Sequence, residues 1–295
     1  MTDSEHNKDN TFIILGNGPS LKDVNMEWIK ENSDKFTVIG INRSYLAYPD
    51  HDMMFVQDVE PILELFDAGK TDEEIKAMSI VTTDYFDKRI RVMSRRRSYS
   101  KKEMGRLREL RKKGIIKTGG PRLYKTLGVW SVDQAIARVC YQFKAETANK
   151  PKPVYMYLLG FDLKHIPDQN HFYDKEVKKK CRWPNEGSNP RQIRRQLRYW
   201  QRVRKVFTRH NIKVSVIGEN SELFKFYSSY KKIEQIFNSD PNPIGEKTND
   251  KISLTRANSP KRVAPKVSLN HKKSYTKKIL NIRARRRLRE KNNEE

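Results

Sequence analysis

Cysteine is almost missing from this chain: among 295 residues only Cys140 and Cys181 occur, and their spacing is not CxxC. That excludes a disulfide scaffold and a cysteine-based zinc site, and it suits a reducing compartment. Long apolar runs are missing too. No stretch approaches the roughly 18 apolar residues of a membrane span, and the opening MTDSEHNKDN has no apolar leader segment. The expected location is the cytoplasm, with no transmembrane segment. Acidic residues are the third shortage: 36 Asp and Glu stand against 61 Lys and Arg, a net charge of +25. No internal repeat is visible.

The positive charge is concentrated. Residues 88–117 carry 14 basic and 2 acidic residues, residues 175–213 the same numbers, and residues 228–295 carry 18 and 7. The rest of the chain is left at −10, so three basic devices sit on a mildly acidic body. Such fields favour a polyanionic partner: DNA, RNA, anionic lipid or a phosphorylated polymer. A solubilising surface is the plainer alternative. Aromatic residues make up 10% of the chain, enough for a real core.

Short apolar segments alternate with helical patterns. TFIIL (11–15), FTVIGIN (36–42), HDMMFVQD (51–58), SIVTTDYF (79–86, edge-like), VYMYLLGFDL (154–163) and KVSVIGEN (213–220) read as strands. Helices are expected over 22–32, from 60, over 101–113 (without a clear apolar stripe), over 126–143 and 192–207, and briefly over 221–227. This alternation predicts an α/β fold: a variant Rossmann arrangement with a mostly parallel, doubly wound sheet, a basic insertion and a basic C-terminal tail. The core domain is expected over 11–227. Residues 228–295 read as a flexible linker and tail, with 278–291 a short basic helix that orders on its partner.

Ligands of an open parallel sheet bind beyond the carboxyl ends of its strands. The polar and small residues expected there are Gly16, Asn17, Gly18, Ser20, Asn42, Gln57, Asp58, Gly160 and Asp162. The Gly16-Asn17-Gly18 turn lets backbone N–H groups approach an anion at a helix start. Pro19 suits a first helical turn, and Ser20 is placed to cap it or to bond a phosphate oxygen. The segment is neither a GxGxxG fingerprint nor a Walker loop. Asn42 and Gln57 suit base or ribose recognition, or serve as strand-end caps. Asp58 and Asp162 lie in no DxD motif, and no obligatory metal or other cofactor is expected.

A strand followed by GNGPSL resembles the opening of the bacterial sialyltransferases that use CMP-sugars, and of related flagellin sugar transferases and archaeal pterin pyrophosphokinase proteins. INRSY (41–45), TLGVWSVDQAIA (126–137), LLGFDL (158–163) and NSELFKFY (220–227) follow in the family's order. The resemblance spans residues 11–227 and leaves out the tail. It implies a single nucleotide-binding domain with a small lid and metal-independent, inverting glycosyl transfer, with a nucleotide-sugar as co-substrate. Asn17, Gly18 and Ser20 would then meet the nucleotide phosphate, Asn42 the base or ribose, and Thr126 would cap its helix nearby. The chain departs from the family at the chemistry. Leu127 replaces the serine after that threonine, and Leu163 stands at the first of two tyrosine positions that stabilise the leaving phosphate. The second such position falls near His171, and the general-base histidine has no counterpart around residues 188–190.

His171, in the polar loop IPDQNHFYD, is the candidate for that missing base. An imidazole titrating near neutrality suits deprotonation of an acceptor hydroxyl, or stabilisation of a departing phosphate. Tyr173 offers a second donor and Asp174 would orient the ring. A loop histidine without chemistry, or one that only binds substrate, is the alternative; His165 is a weaker candidate, and His51 reads as structural. Arg95, Arg96 and Arg97 lie beside Tyr99, while Arg194, Arg195, Arg198 and Arg202 interleave with Tyr199 and Trp200. Helical spacing puts Trp200 in the core and leaves the arginines to a nucleic-acid acceptor. The leading expectation is transfer of a sugar from a nucleotide-sugar to a polyanion, DNA with a hydroxymethylated base first. A Mg–ATP pyrophosphokinase acting on a small molecule, and a non-catalytic nucleic-acid-binding protein on a degenerate scaffold, are the alternatives.

Overall fold

The computed structural model describes residues 8, 10–83, 85–86, 90, 100–119, 130–146, 153–163, 190–218 and 221–237. All lie in the first of two compact units, Met1–Thr248; the second, Asn249–Glu295, falls outside the described residues. Eight strands form one all-parallel sheet: β1 Thr11–Leu15, β2 Thr37–Ile41, β3 Met53–Val56, β4 Ile80–Thr82, β5 Lys117–Thr118, β6 Val154–Leu159, β7 Ile212–Ile217 and β8 Ser228–Tyr230. Their order is β5-β4-β3-β2-β1-β6-β7-β8. The chain therefore builds outward from β1 to β5, then returns to lay β6 against the other side of β1. The α/β doubly wound expectation holds.

Side-chain alternation makes both faces. With Ile14 paired to Ile39 and Leu158, the residues Phe12, Ile14, Ile39, Met156, Leu158, Val214 and Val216 all point to one side. Helices α5 (Trp130–Glu146) and α6 (Pro190–Arg209) cover that face with Ala135, Ile136 and Val139 and with Tyr199, Trp200, Val203 and Phe207. Trp200 is buried, as its spacing predicts, edge-on to Phe161, Tyr199 and Tyr227 at 5.6–5.9 Å. The opposite face carries Ile13, Leu15, Val38, Tyr157 and Leu159 toward α1 (Met26–Glu31), and Met54, Val56 and Ile80 toward α2 (Glu60–Asp67), α3 (Asp72–Ala77) and α4 (Lys101–Lys112). Being covered on both faces, β1 and β6 are buried along their whole length, hence their unbroken apolar sequence.

Several elements differ from the sequence-based expectation. The helix expected over 22–32 is a 3₁₀ turn, Pro19–Asp23, followed by α1, because the Asn25 side chain accepts from Trp28 N–H and restarts the helix. Helix α4 does have an apolar stripe: Met104, Leu107 and Leu110 are buried, spaced by three. The basic residues between them hid it. Strand β4 is not at the edge, since β5 pairs outside it through Val81–Lys117 and Thr82–Thr118. The sheet also continues past residue 227: β8 pairs with β7, and α7 (Glu234–Phe237) brings Phe237 to 5.3 Å from Trp28 and 5.7 Å from Phe36. Three-residue strands and one-turn helices carry too little periodicity to be seen in a sequence.

Candidate ligand site at the carboxyl edge of the sheet

Strand order reverses between β1 and β6, and that is where a doubly wound sheet opens a crevice at its carboxyl edge. The segments leaving these two strands are Gly16-Asn17-Gly18-Pro19-Ser20 and Gly160-Phe161-Asp162. They are laced together: Gly16 N–H donates to Leu159 C=O at 2.7 Å, Gly18 N–H to Gly160 C=O at 2.7 Å, and Ser20 N–H to Asp162 Oδ2 at 2.9 Å. Glycine is required for this approach. A Cβ on Gly16 would stand 2.4 Å from Gly160 O, and one on Gly18 would stand 2.4 Å from Asp162 Oδ2. Gly16 N–H, Gly18 N–H and Ser20 N–H are thus already taken, the last by the buried carboxylate of Asp162.

Side chains clasp the other strand ends. Asn17 Nδ2 donates to Ile41 C=O at 2.8 Å, tying the β1 loop to β2. Asn42, in the left-handed region at φ 51°, accepts from Gln57 N–H through Oδ1 at 3.0 Å, tying β2 to β3. The whole Asn-Arg-Ser-Tyr segment works as a brace. Arg43 forms a fork on Glu64 of α2, with Nε 2.7 Å from Oε2 and a terminal nitrogen 2.6 Å from Oε1, and Tyr45 donates to Glu64 Oε2 at 3.0 Å. Ser44 Oγ accepts from Ile41 N–H at 2.9 Å and lies 3.1 Å from His51 Nε2. The hydroxyl and the ring share one hydrogen bond there, whose direction is set by the imidazole tautomer. His51 is buried, and burial lowers its pKa to about 4 against the opposing charge of Asp52. It is structural, as expected.

Beyond β6, Ser221 donates to Phe161 C=O at 2.5 Å, Glu222 N–H to Asp162 C=O at 2.9 Å, and Ser221 Oγ caps the 3₁₀ turn Glu222–Lys225 through Leu223 N–H. Ser221 and Glu222 thereby hold the loop that carries Asp162. Tyr227 donates to Trp200 C=O at 2.8 Å, and burial pushes its pKa far up.

On the β1 loop at the switch point, two side-chain atoms are sealed from solvent and make no hydrogen bond: Asn17 Oδ1 and Ser20 Oγ. Buried polar atoms without a partner carry a free-energy penalty that a ligand relieves. Asn42 Nδ2 makes no hydrogen bond among the described residues. Ser20 also lines a cavity of about 410 Å³ between the Pro19–Asp23 turn and the ends of β7 and β8, with Asn25, Gly218, Lys231 and Lys232 in its wall. Gly218, Lys231 and Lys232 were not anticipated; a Gly just after a strand, in VIGEN, was the available signal.

Gln57 and Asp58 follow β3, partly exposed. Asp58 and Asp162 follow strands three places apart in the sheet, which sets those strand ends about 14 Å apart. They are not brought onto a common cation. Arg194, Arg195, Arg198 and Arg202 all lie exposed on α6. Thr126, His165, His171, Tyr173, Asp174 and Arg95–Arg97 lie outside the described residues.

Fold and edge together define a doubly wound α/β protein with its candidate ligand groups at the β1/β6 switch point. Comparison with protein-family models, with curated proteins and with solved structures finds no match.

Proposed function

We propose that the chain is a glycosyltransferase-like enzyme that moves a sugar from a nucleotide-sugar to a polyanionic acceptor, with DNA carrying a hydroxymethylated base as the acceptor class. The observation that carries the donor half is the pair of sealed, unpartnered atoms at the switch point, Asn17 Oδ1 and Ser20 Oγ. The first accepts from a ribose hydroxyl or a base amine; the second both donates and accepts. Asn42 Nδ2 adds a donor on the β2 side, and Lys231 and Lys232 in the wall of the adjoining cavity put positive charge where phosphates would lie. In the transfer itself, the acceptor hydroxyl attacks the anomeric carbon as the nucleotide leaves, and a base removes the hydroxyl proton. The base is assigned to His171 from the chemistry of its imidazole, with Asp174 to orient the ring and Tyr173 as a second donor to the leaving phosphate.

One observation favours a second reading, a nucleic-acid-binding protein on a degenerate transferase scaffold. Asp162 puts a carboxylate on Ser20 N–H, the place where a phosphate oxygen would otherwise be bound. The Mg–ATP pyrophosphokinase reading needs Asp58 and Asp162 as magnesium ligands, and their separation gives it no support.

A thermal-shift screen of nucleotides and nucleotide-sugars, with and without Mg²⁺, separates these readings. A ligand at 100 times its Kd adds about 2.7 kcal/mol. The transferase reading expects stabilisation by a UDP-, CMP- or GDP-sugar, independent of Mg²⁺ and lost in Asn17→Ala. A response to Mg–ATP alone would replace it with the pyrophosphokinase. No response to any nucleotide, with salt-sensitive DNA binding intact, would leave the binding protein.

A further inference from the structure

Helix α6 carries one charge sign only. Over Pro190–Arg209 there are seven arginines, one lysine and no acidic residue. At about 100° per residue, its exposed cations Arg194, Arg195, Arg198, Arg202, Lys205 and Arg209 fall within about 100° of arc, opposite the buried Tyr199, Trp200, Val203 and Phe207. At about 1.5 Å per residue the row is roughly 22 Å long, with successive members about 5–6 Å apart once the pair Arg194 and Arg195 is counted together. Arg194, Arg198, Lys205 and Arg209 make no ion pair among the described residues. Like charges so close together repel one another, a cost that a polyanion removes.

The direction of the row matters as well. Helix α6 ends at Arg209, three residues before β7 begins, so it runs against the strands. Trp200 meets Phe161, two residues beyond β6. The N-terminal part of the helix, with Arg194, Arg195 and Arg198, therefore lies toward the carboxyl edge of the sheet.

We infer that the exposed face of α6 is a track for the phosphate backbone of double-stranded nucleic acid, which it grips without reading sequence. Five of its six cations are arginines, whose guanidinium forks match phosphate geometry. The row covers about six base pairs at about 3.4 Å each. A single strand would call for aromatic platforms on which bases stack, but Tyr199 and Trp200 are both turned into the core. An anionic membrane would call for an exposed apolar edge beside the charge, and among the described residues the exposed large hydrophobic side chains are Leu46 and Tyr85, neither on α6. The inference deepens the proposed acceptor class, but duplex binding requires neither a nucleotide nor catalysis, so the two stand or fall separately.

The test is fluorescence anisotropy of the full-length chain with a labelled 20-base-pair duplex of mixed sequence, titrated between 50 and 200 mM NaCl. Each phosphate contact contributes about 0.9 to the slope of log K against log salt. The double variant Arg198→Gln/Lys205→Gln is expected to flatten the slope by about 2 and to weaken binding roughly 10- to 100-fold at 100 mM salt. Lys35→Gln/Lys76→Gln, which removes the same charge from exposed positions elsewhere, is expected to leave the slope alone. Equal slopes in wild type and the α6 variant would overturn the inference, as would equal losses in both variants. A single strand of the same sequence held more tightly than the duplex, or phosphatidylserine vesicles bound through the same two residues in its place, would overturn it too. A nucleotide-induced thermal shift that survives in the α6 variant would keep the donor site standing whichever way the duplex result falls.

Discussion

His51 is held neutral inside the fold. Its Nε2 shares a hydrogen bond with Ser44 Oγ, and Gly40 makes room for the ring, since a Cβ there would stand 2.2 Å from Nε2. Burial sets its pKa near 4, below the 6.5 of an unfolded chain. The unfolded state therefore binds the proton first as pH falls, so this contribution to stability is complete above about pH 6.5 and is lost on the way down to about 4. Between pH 7 and pH 5 the loss is about 2 kcal/mol. Urea denaturation at the two pH values is expected to show that drop in wild type and a clearly smaller one in His51→Gln. Equal drops would mean that other groups carry the acid sensitivity. The sequence marked His51 as structural from its place before a strand; its partners Ser44 and Gly40 became visible only when β2 and the turn after it were set in space.

At the scale of elements, the junction of β1 and β6 is the most constrained part of the molecule. Both glycines of the β1 turn face the backbone leaving β6, and backbone cannot move aside as a flexible side chain can. Gly16→Ala is expected to cost about 1–3 kcal/mol through overpacking, with Gly18→Ala similar, as measured by denaturant midpoints. A neutral Gly16→Ala would show that the close approach to Gly160 is not maintained in solution. Helix α6 binds to the sheet by its apolar face and depends on Trp200, whose ring meets Phe161, Tyr199 and Tyr227. Trp200→Ala is expected to lose about 3–5 kcal/mol, whereas Arg198→Gln on the opposite face stays within about 0.5 kcal/mol. A thermal melt of the two variants checks both values. The spacing of Ile193, Leu197, Trp200, Val203 and Phe207 made this division of faces legible in the sequence. The stripe of α4 was equally periodic but was obscured by the charge around it.

At the scale of the whole molecule, the amino-acid sequence by itself determined the class of fold. Unbroken apolar strands alternating with helical patterns admit little except a parallel sheet covered on both sides, and β1, β2, β3, β6 and β7 stand where those runs placed them. It also determined where the positive charge lies, because charge is a property of residues and not of their arrangement. What only the tertiary structure decided is which polar residues at the carboxyl edge are already engaged. Ser20 N–H meets Asp162 across 142 positions of chain, and Asn17 reaches Ile41 across 24. A local pattern records the kind of residue that follows each strand, but a hydrogen bond depends on which strands become neighbours. The order β2-β1-β6 makes Asp162 the partner of the glycine turn and leaves Asn17 Oδ1 and Ser20 Oγ, out of all the candidates there, sealed from solvent and without partners.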